Sequence, residues 1–388
     1  RTEVPLCGAG HSVRMRTNDL WNQFPAFGLP TRNSQRNPMF LEQSERLRSD
    51  PQRAATYAGL RYISDEDTRG IARLSHGKGF SYRGLDGRPV DTSTLKRIRS
   101  LAIPPAWTSV WISPFPDAHL AATGRDAKGR KQYRYNPEFL QIRNTAKFGH
   151  LIAFAEVLPK IRKAVNGHMA MRGMPREKVI ATIISLLEQT NIRIGNEGYA
   201  KENGSFGLTT LRNKHVRVAG SELRFLFKGK SGKTWRLSFS NRRVAKVIRA
   251  CQELPGQNLF QYEDDNGELQ KVTSGDVNDY LREVGERDIT AKDFRTWAGT
   301  VLVAIALSSL EGPPLKKHVR DIIAHVANQL GNTATICRKC YVHPEILAAY
   351  EADELKLNIR EAAANSEPGL DAGERAVLRY LKSRATNL

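Results

Sequence analysis

A small set of side chains between residues 193 and 341 could together transfer a phosphoryl group. Arg193 and Arg295 each follow an apolar neighbour, Lys230 lies in a glycine-rich segment, and Tyr341 follows a run of basic residues. Displacement at a phosphodiester concentrates negative charge on non-bridging oxygens, which guanidinium groups bind bidentately. Such chemistry requires two arginines, a proton donor and a nucleophile. The sequence contains residues of all three kinds.

Motifs for nucleotide-driven and metal-driven chemistry are missing from the sequence. It contains no Walker A pattern, no GxGxxG after a strand, no HExxH and no paired-carboxylate metal signature. The only CxxC is Cys337 with Cys340, and of the further ligands that structural zinc needs, only His343 is close. We therefore expect neither a metal ion nor a cofactor.

Each candidate residue also has an ordinary structural interpretation. Arg193 could form an ion pair with Glu197, because a half-buried arginine is costly unless it is paired. Arg295 could be a surface arginine near a helix start, although backbone N–H groups there also favour an anion. Tyr341 could be a partly exposed aromatic residue. Residue types alone leave these alternatives open.

The charge balance points to a polyanionic partner. The 388 residues include 60 Lys and Arg against 40 Asp and Glu, a net charge of +20. A basic surface without a specific partner is the alternative, but the positive charge is clustered. In residues 124–147 the basic residues are interleaved with tyrosines, as suits a phosphate backbone. These basic residues are Arg125, Lys128, Arg130, Lys131, Arg134, Arg143 and Lys147.

The patterns around these residues predict an α+β protein with a small β-rich N-terminal domain and a larger, mainly α-helical domain. Residues 1–54 are rich in Arg, Asn, Ser and Pro, and we expect a poorly ordered extension. Residues 55–127 show short extended runs at 60–63, 77–82 and 107–114, with one helix at 93–101. The linker between the two domains is expected at residues 125–135.

Helical periodicity dominates residues 128–364. Helices are predicted at 148–165, 178–191, 241–254, 274–284, 290–310 and 317–330. One β element interrupts them, because apolar residues alternate at 223–227 and 235–239, which places Lys230 at a hairpin tip. Thr290 with Asp293 resembles a capping box, and Gly331 suits the position after a helix end. The sequence of residues 365–388 indicates neither a structure nor a function, and we expect a C-terminal tail there.

The longest apolar segment, residues 301–307, is much shorter than the roughly 20 residues that a membrane span requires. No signal-peptide pattern opens the sequence, and four cysteines are too few for a disulfide scaffold. We therefore expect a soluble cytoplasmic protein, associated with the nucleoid if its polyanion is DNA.

Taken in order, the Arg, hairpin Lys, Arg, polar residue and Tyr resemble the type IB DNA topoisomerase family, specifically its poxvirus-like bacterial branch. The resemblance covers about residues 55–360. Flanking stretches strengthen it: GKGFSYRGLDGRPV from Gly77, IPPAWTSVWISP from Ile103, TGRDAKGRKQYRY from Thr123, and GYAKENGSFGLTTLRNKHV from Gly198. It implies an enzyme that relaxes supercoiled duplex DNA, acts as a monomer, and has a catalytic domain of the type shared with tyrosine recombinases.

The resemblance also implies residue roles. Tyr341 would be the nucleophile that forms a 3′-phosphotyrosyl intermediate, and Lys230, helped by Arg193, would protonate the leaving 5′-oxygen. Arg193 and Arg295 would bind the non-bridging oxygens, while strand rotation driven by torsion would need no ATP. The residues expected to contact double-stranded DNA are Arg125, Lys128, Arg130, Lys131, Tyr133, Tyr199, Lys214 and Lys292.

The sequence departs from the family pattern at Asn332, where many relatives carry His. Asn can donate a hydrogen bond to a phosphate oxygen but carries neither a proton nor a charge. His343 follows the tyrosine and precedes Pro344, so we interpret it as a structural helix cap.

Two alternatives compete with the topoisomerase interpretation. A tyrosine recombinase would share the nucleophile and cations, but it usually has His where this chain has Lys292, and a helical N-terminal domain. A non-catalytic DNA-binding protein with a decayed site would explain Asn332. It would not explain why Tyr341, Lys230 and both arginines are retained.

Overall fold

The computed structural model describes residues 46–77, 79–264, 266–360 and 369–386. The predicted α+β organisation is confirmed, with a small β-sheet domain followed by a mostly helical domain. The first domain is built on an antiparallel five-stranded sheet of order β2-β1-β3-β4-β5. Its strands are β1 Ile71–His76, β2 Gly79–Arg83, β3 Thr108–Ile112, β4 Leu120–Arg125 and β5 Lys131–Tyr135.

One helix covers this sheet, as the sequence predicts. Helix α2, Thr92–Ser100, begins after Asp91, whose carboxylate accepts hydrogen bonds from two backbone N–H groups of the first turn. Helix α2 buries Ile98 against Ile71, Ile112 and Ala122 of the sheet. This small apolar layer forms the core of the N-terminal domain.

The structure differs from the sequence prediction at the edges of this domain. Residues 60–63 form no strand and contribute only the isolated bridge between Arg61 and Ala118. Residues 125–135, predicted to join the domains, are instead the turn and second strand of the β4–β5 hairpin. The sheet therefore extends beyond the predicted boundary at residue 127. The chain leaves it at Asn136, which caps the next helix.

The second domain consists of helices around one large apolar core. Its longest helix, α3, Pro137–Met169, packs against α4, α7 and α8. Ile180, Ile183 and Leu187 of α4 are fully buried there. The other helices are α4 Arg176–Thr190, α5 Glu197–Asn203, α6 Arg242–Glu253, α7 Ser274–Gly285, α8 Ala291–Ser308, α9 Lys316–Gln329, α10 Ala334–Cys340, α11 Pro344–Glu351 and α12 Ala372–Thr386.

The predicted β-hairpin is confirmed as β7, Glu222–Lys228, and β8, Thr234–Ser240. Phe225 and Leu237 are opposite each other on the face that packs on the helical core. Lys230 lies in the 3₁₀ turn Lys230–Gly232 at the tip. Two features were not predicted: β6, Val216–Ala219, completes a three-stranded sheet, and β9, Gln261–Glu263, pairs with β10, Leu269–Lys271.

Both predicted helix-boundary signals are confirmed. The Asp293 carboxylate accepts hydrogen bonds from the backbone N–H and hydroxyl of Thr290, each at 2.9 Å, at the start of α8. After α9, Gly331 adopts a left-handed conformation with φ +62°. Gly331 also lies against Trp235, because an added Cβ would be 2.5 Å from the indole. Any larger residue there would displace the hairpin.

The predicted N-terminal extension is partly folded. Residues 1–45 lie outside the described part of the chain, but Leu47 and Ala54 pack against Phe139 of α3 beside the short helix α1, Pro51–Tyr57. Arg48 forms ion pairs with Asp288 at 2.8 Å and with Asp293 at 3.3 Å. The N-terminal segment therefore contacts the start of α8.

The C-terminal helix α12 is an integral part of the helical domain. The buried carboxylate of Glu374 accepts hydrogen bonds from Arg162 of α3 at 2.7 and 2.9 Å and from the Trp297 indole of α8 at 2.9 Å. Burial alone would raise the pKa of Glu374, but the hydrogen bonds and charge of Arg162 hold it below its usual value. This residue joins three helices.

We expect Glu374→Gln to destabilise the protein by about 2 to 3 kcal/mol, because a neutral amide leaves Arg162 with less compensation for its burial. Urea unfolding followed by circular dichroism measures this change. The matched control is Glu286→Gln, which removes an exposed carboxylate from its ion pair with Lys160 and should have no measurable effect. Equal stability of the two variants would contradict the bridging role of Glu374.

Candidate active site

Tyr341 lies immediately after α10, and its backbone is held against α8. The Tyr341 N–H donates to the Cys337 carbonyl at 2.9 Å, and its own carbonyl accepts from Thr300 Oγ1 at 3.3 Å. Gly299 permits this close approach, because a Cβ there would lie 2.5 Å from the Tyr341 carbonyl oxygen. The tyrosine is half-buried, with its ring packed beside the core.

Arg295 is buried beside the tyrosine and is not the surface residue that one interpretation allowed. Only 3% of it is exposed, and its guanidinium carbon lies 5.1 Å from the centroid of the Tyr341 ring. Its Nη1 and Nη2 donate to the carbonyls of Asn191 and of Leu330, the latter at 2.6 Å. Burial first, and repulsion by Arg193 second, lower the pKa of Arg295 to about 10.

Arg193 approaches the same place from the end of α4. Its Nη2 donates to the Gly331 carbonyl at 3.2 Å and to Oδ1 of Asn332. The alternative ion pair with Glu197 is absent, because Glu197 instead faces Lys201 and Lys271. Within the described residues, neither Arg193 nor Arg295 has a carboxylate within ion-pair distance.

The contact with Arg193 fixes the orientation of the Asn332 amide. A guanidinium can only donate hydrogen bonds, so the amide oxygen must face Arg193 and the NH₂ group must point away. Nδ2 of Asn332 is buried and makes no hydrogen bond with the described residues. Asn332 thus presents an unused donor beside two cations. Such a donor is costly to bury unless a ligand completes it.

Lys230 reaches this region through its hairpin. The indole of Trp235 packs against Gly229, next to Lys230, and against Gly331, next to Asn332. Lys233, on the same turn, approaches the Asn328 carbonyl of α9 at 3.4 Å. The side chain of Lys230 is exposed and has no hydrogen-bond or ion-pair partner among the residues that the structure describes. It is therefore available to a ligand.

Lys147, which the sequence placed only in the basic cluster of residues 124–147, lies beside the tyrosine. This residue lies on α3, and its ammonium donates to the Cys340 carbonyl at the end of α10. It is 5.9 Å from the centroid of the Tyr341 ring. The sequence places Lys147 just before the apolar helical pattern of residues 148–165. Its contact could not be predicted from that pattern, because Cys340 is far away in the sequence. His343 caps α11, as predicted, by accepting from the Glu345 N–H at 3.2 Å.

The predicted DNA-contacting residues lie on several surface elements. Tyr199 is 60% exposed on α5, Lys292 is exposed on the first turn of α8, and Lys214 is exposed in a 3₁₀ turn. The Asp126 carboxylate chiefly, and Tyr199 to a smaller extent, raise the pKa of Arg130.

Part of the positive charge on the β4–β5 hairpin is already paired. Arg130 contacts Asp126 at 2.6 Å, and Lys131 contacts Asp65 at 3.0 Å. Arg125 and Lys128 are exposed in or beside the same turn. Tyr133 stacks on Tyr135 with 5.8 Å between ring centroids. The hairpin thus presents cations next to an exposed aromatic surface.

Metal and membrane features are not found in the part of the chain that the structure describes. It contains no group of three or more His, Cys, Asp or Glu side chains arranged to hold a metal ion. Cys337 and Cys340 are free thiols, and burial raises the pKa of Cys337 to about 11. Among the described helices, none has the length and apolar character needed to span a bilayer.

The geometry brings two cations and a hydrogen-bond donor together beside a tyrosine. Two guanidinium groups are held by neutral carbonyls, an amide donor is unused, and the Tyr341 ring contacts Arg295. Carbonyl dipoles stabilise an arginine without cancelling its charge, so each cation can still bind an anion. A phosphate bound here would be close to a potential oxygen nucleophile.

Comparisons with known proteins identify the family of the chain. The family described as "Eukaryotic DNA topoisomerase I, catalytic core" matches residues 136–366, and "Bacterial DNA topoisomerase IB, N-terminal domain" matches residues 79–126. The DNA topoisomerase 1B of Acanthamoeba polyphaga mimivirus is 34% identical over 294 residues, covering 73% of this chain and 88% of that protein. The DNA topoisomerase I of Monkeypox virus is 26% identical over 238 residues, or 59% and 71%. The chain therefore belongs to the type IB DNA topoisomerase family.

Proposed function

We propose that this enzyme relaxes supercoiled duplex DNA by transient cleavage of one strand at Tyr341, without a metal ion or ATP. The observation that carries the proposal is the placement of the Tyr341 ring against Arg295, in a site whose two guanidinium groups lack carboxylate partners among the described residues. A scissile phosphate would supply the missing negative charge.

In the cleavage step, the Tyr341 oxygen attacks the phosphorus while the bond from phosphorus to the 5′-oxygen breaks. The phenolic proton leaves to water, and the Lys230 ammonium, helped by Arg193, donates a proton to the departing oxygen. An alkoxide is a poor leaving group without that proton. The products are a 3′-phosphotyrosyl enzyme and a free 5′-hydroxyl strand, so the phosphodiester energy is conserved.

Arg193, Arg295 and Asn332 stabilise the charge that develops during this step. The arginines bind the non-bridging oxygens, and the free Nδ2–H of Asn332 donates to one of them. Because the guanidinium groups are held by backbone carbonyls and the Asn332 amide is held by Arg193 before DNA arrives, little reorganisation is needed during the reaction. This preorganisation takes the place of an added cation.

The two domains are proposed to close around the duplex as a monomeric clamp. The β4–β5 hairpin, with Arg125, Lys128 and Tyr133, would contact the phosphate backbone together with Tyr199 and Lys292. Arg130 and Lys131 are paired with Asp126 and Asp65, so each would have to release its carboxylate before it could bind a phosphate. Torsion then rotates the cleaved strand, and its 5′-hydroxyl attacks the phosphotyrosine to restore the DNA. Nucleoid DNA in the cytoplasm is the proposed substrate.

The two rival functions are less well supported. Lys292 stands exposed at the start of α8 where recombinases usually have His, and the N-terminal domain is a β-sheet, not a helical bundle. A passive DNA-binding protein would not require a buried cationic site beside a tyrosine. Formation of a covalent protein–DNA adduct separates an enzyme from a passive binder.

We expect the wild-type protein to relax a supercoiled plasmid in EDTA without ATP, and Tyr341→Phe to lose all relaxation. The substitution removes one hydroxyl from a surface with many phosphate contacts, so DNA affinity measured by fluorescence anisotropy should be nearly unchanged. Gel electrophoresis of the plasmid and denaturing gels for the adduct provide the readout. Relaxation by the Phe variant would exclude Tyr341 as the nucleophile.

We expect Lys230→Ala to slow cleavage of an ordinary duplex by about 10² to 10⁴-fold, in the range of lost general acid catalysis. A substrate with sulfur at the 5′-bridging position should restore the rate, because a thiolate leaves without protonation. Lys233→Ala, on the same turn, is the control and should affect both substrates equally. Equal slowing of both substrates by Lys230→Ala would show that this lysine only binds phosphate.

We expect Asn332→Ala to slow single-turnover cleavage by about 10² to 10³-fold, as is usual when an oxyanion donor is removed. Asn332→His should retain substantial activity through its ring N–H, with an added pH dependence between about pH 5 and 8. Asn332→Asp keeps the shape but replaces the donor with an acceptor, so it should be at least as slow as Ala. Cleavage by the Ala variant at the wild-type rate would remove Asn332 from the site.

A further inference from the structure

Lys147 links two helices at the point where the tyrosine is attached. Its Nζ lies 4.5 Å from the centroid of the Phe148 ring and 5.9 Å from that of Tyr341, and it donates to the Cys340 carbonyl. Cys340 is the last residue of α10, so its carbonyl has no hydrogen-bond donor within the helix. A cation at a helix C-terminus also interacts favourably with the helix dipole.

Tyr341 thus has two cations near its ring. Arg295 approaches its ring to 5.1 Å, and Lys147 approaches to 5.9 Å. Positive charge near an aromatic ring is attractive in the neutral phenol and more so in the phenolate, because the charge of the phenolate is partly delocalised into the ring. Lys147 makes no ion pair with a carboxylate of the described residues, so its charge remains effective.

We propose that Lys147 is a positioning residue for Tyr341, which rests on the function proposed above. Its ammonium fixes the Cys340 carbonyl, and with it the tyrosine at the helix end, while its charge stabilises the negative charge that develops on the attacking oxygen. The protonated form is the active one, because it combines the donated hydrogen bond with the positive charge.

The surroundings of Lys147 set the pH range in which this charge is present. Burial first lowers the pKa of Lys147 to about 8; repulsion by Lys292 adds to this shift, and Cys340 and Asp293 oppose it. Burial and the Lys147 charge lower the pKa of His343 to about 4, so His343 is neutral at pH 7. The other titratable or charged groups around it are Tyr341 and Arg295, with Arg143 and His150 one turn away on α3.

Lys147 is charged below about pH 8 and loses its charge above it. The rate advantage that it gives the wild-type enzyme is therefore present at neutral pH and disappears in alkaline solution. An arginine at this position would keep its charge over the whole range.

The test compares single-turnover cleavage of a defined duplex by wild type, Lys147→Met and Lys147→Arg from about pH 6.5 to about pH 9.5. We expect Lys147→Met to be about tenfold slower at pH 7 with similar DNA affinity, the size of effect given by a partly desolvated cation beside a ring. The ratio of the wild-type rate to the Met rate should fall above about pH 8, whereas the ratio of Arg to Met should stay constant. Ratios cancel every pH effect that the variants share.

Lys160→Met, on the exposed side of the same helix, is the matched control and should leave the rate unchanged. Circular dichroism verifies that each variant folds, and the Arg variant tests the charge even if Met disturbs packing. A wild-type to Met ratio of one at pH 7, or a ratio that does not change with pH, overturns the role of Lys147. Tyr341→Phe is measured in the same assay to test the proposed function itself. Cleavage by this variant would overturn both the proposed function and the role of Lys147. If Tyr341→Phe does not cleave, a failed Lys147 test overturns the role of Lys147 alone.

Discussion

The site depends on a buried guanidinium that, among the residues that the structure describes, is stabilised by carbonyl dipoles and not by a carboxylate. Arg295 is inside the protein, where an unpaired charge is costly, yet its partners are the carbonyls of Asn191 and Leu330. Both carbonyls lie at helix C-termini, where the helix dipole adds partial negative charge. This arrangement lowers the cost of burial while the net positive charge remains for a ligand. A buried carboxylate would have stabilised the arginine better and neutralised the site.

The same two helix ends also position the side chains of Arg193 and Asn332. The chain leaves α4 at Asn191 in a left-handed conformation and reaches Arg193 two residues later, and it leaves α9 through Gly331 to reach Asn332. The contact of Arg193 with Asn332 joins these two exits. The helix terminations therefore have two roles, because the backbone that stabilises Arg295 also places the next arginine and amide. Gly331 itself packs against Trp235 and thus contacts the Lys230 hairpin.

Local patterns in the sequence predicted a large part of this arrangement. Alternating apolar residues gave the β7–β8 hairpin, and the Thr290 and Asp293 pair marked the start of α8, because these signals act over a few residues. Contacts between distant segments could not be read in the same way. The strand β5 beyond residue 127, the docking of α12 through Glu374, and the approach of Lys147 to Cys340 all depend on tertiary packing. For the same reason, Arg193 had a plausible local partner in Glu197 that the fold does not use.

Asp293 shows how the fold keeps this cluster of cations from being neutralised. It is a buried carboxylate only two residues before Arg295, and an ion pair between them would remove the charge that a phosphate needs. Its oxygens are instead engaged by Thr290 at the helix start and by Arg48 of the N-terminal segment. Arg48 also pairs with Asp288, so the segment that precedes the β-sheet domain supplies the counter-charge for both carboxylates. The described part of the N-terminal segment thus contributes to the electrostatics near the site, because Arg48 engages a carboxylate that is two residues from Arg295 in the sequence.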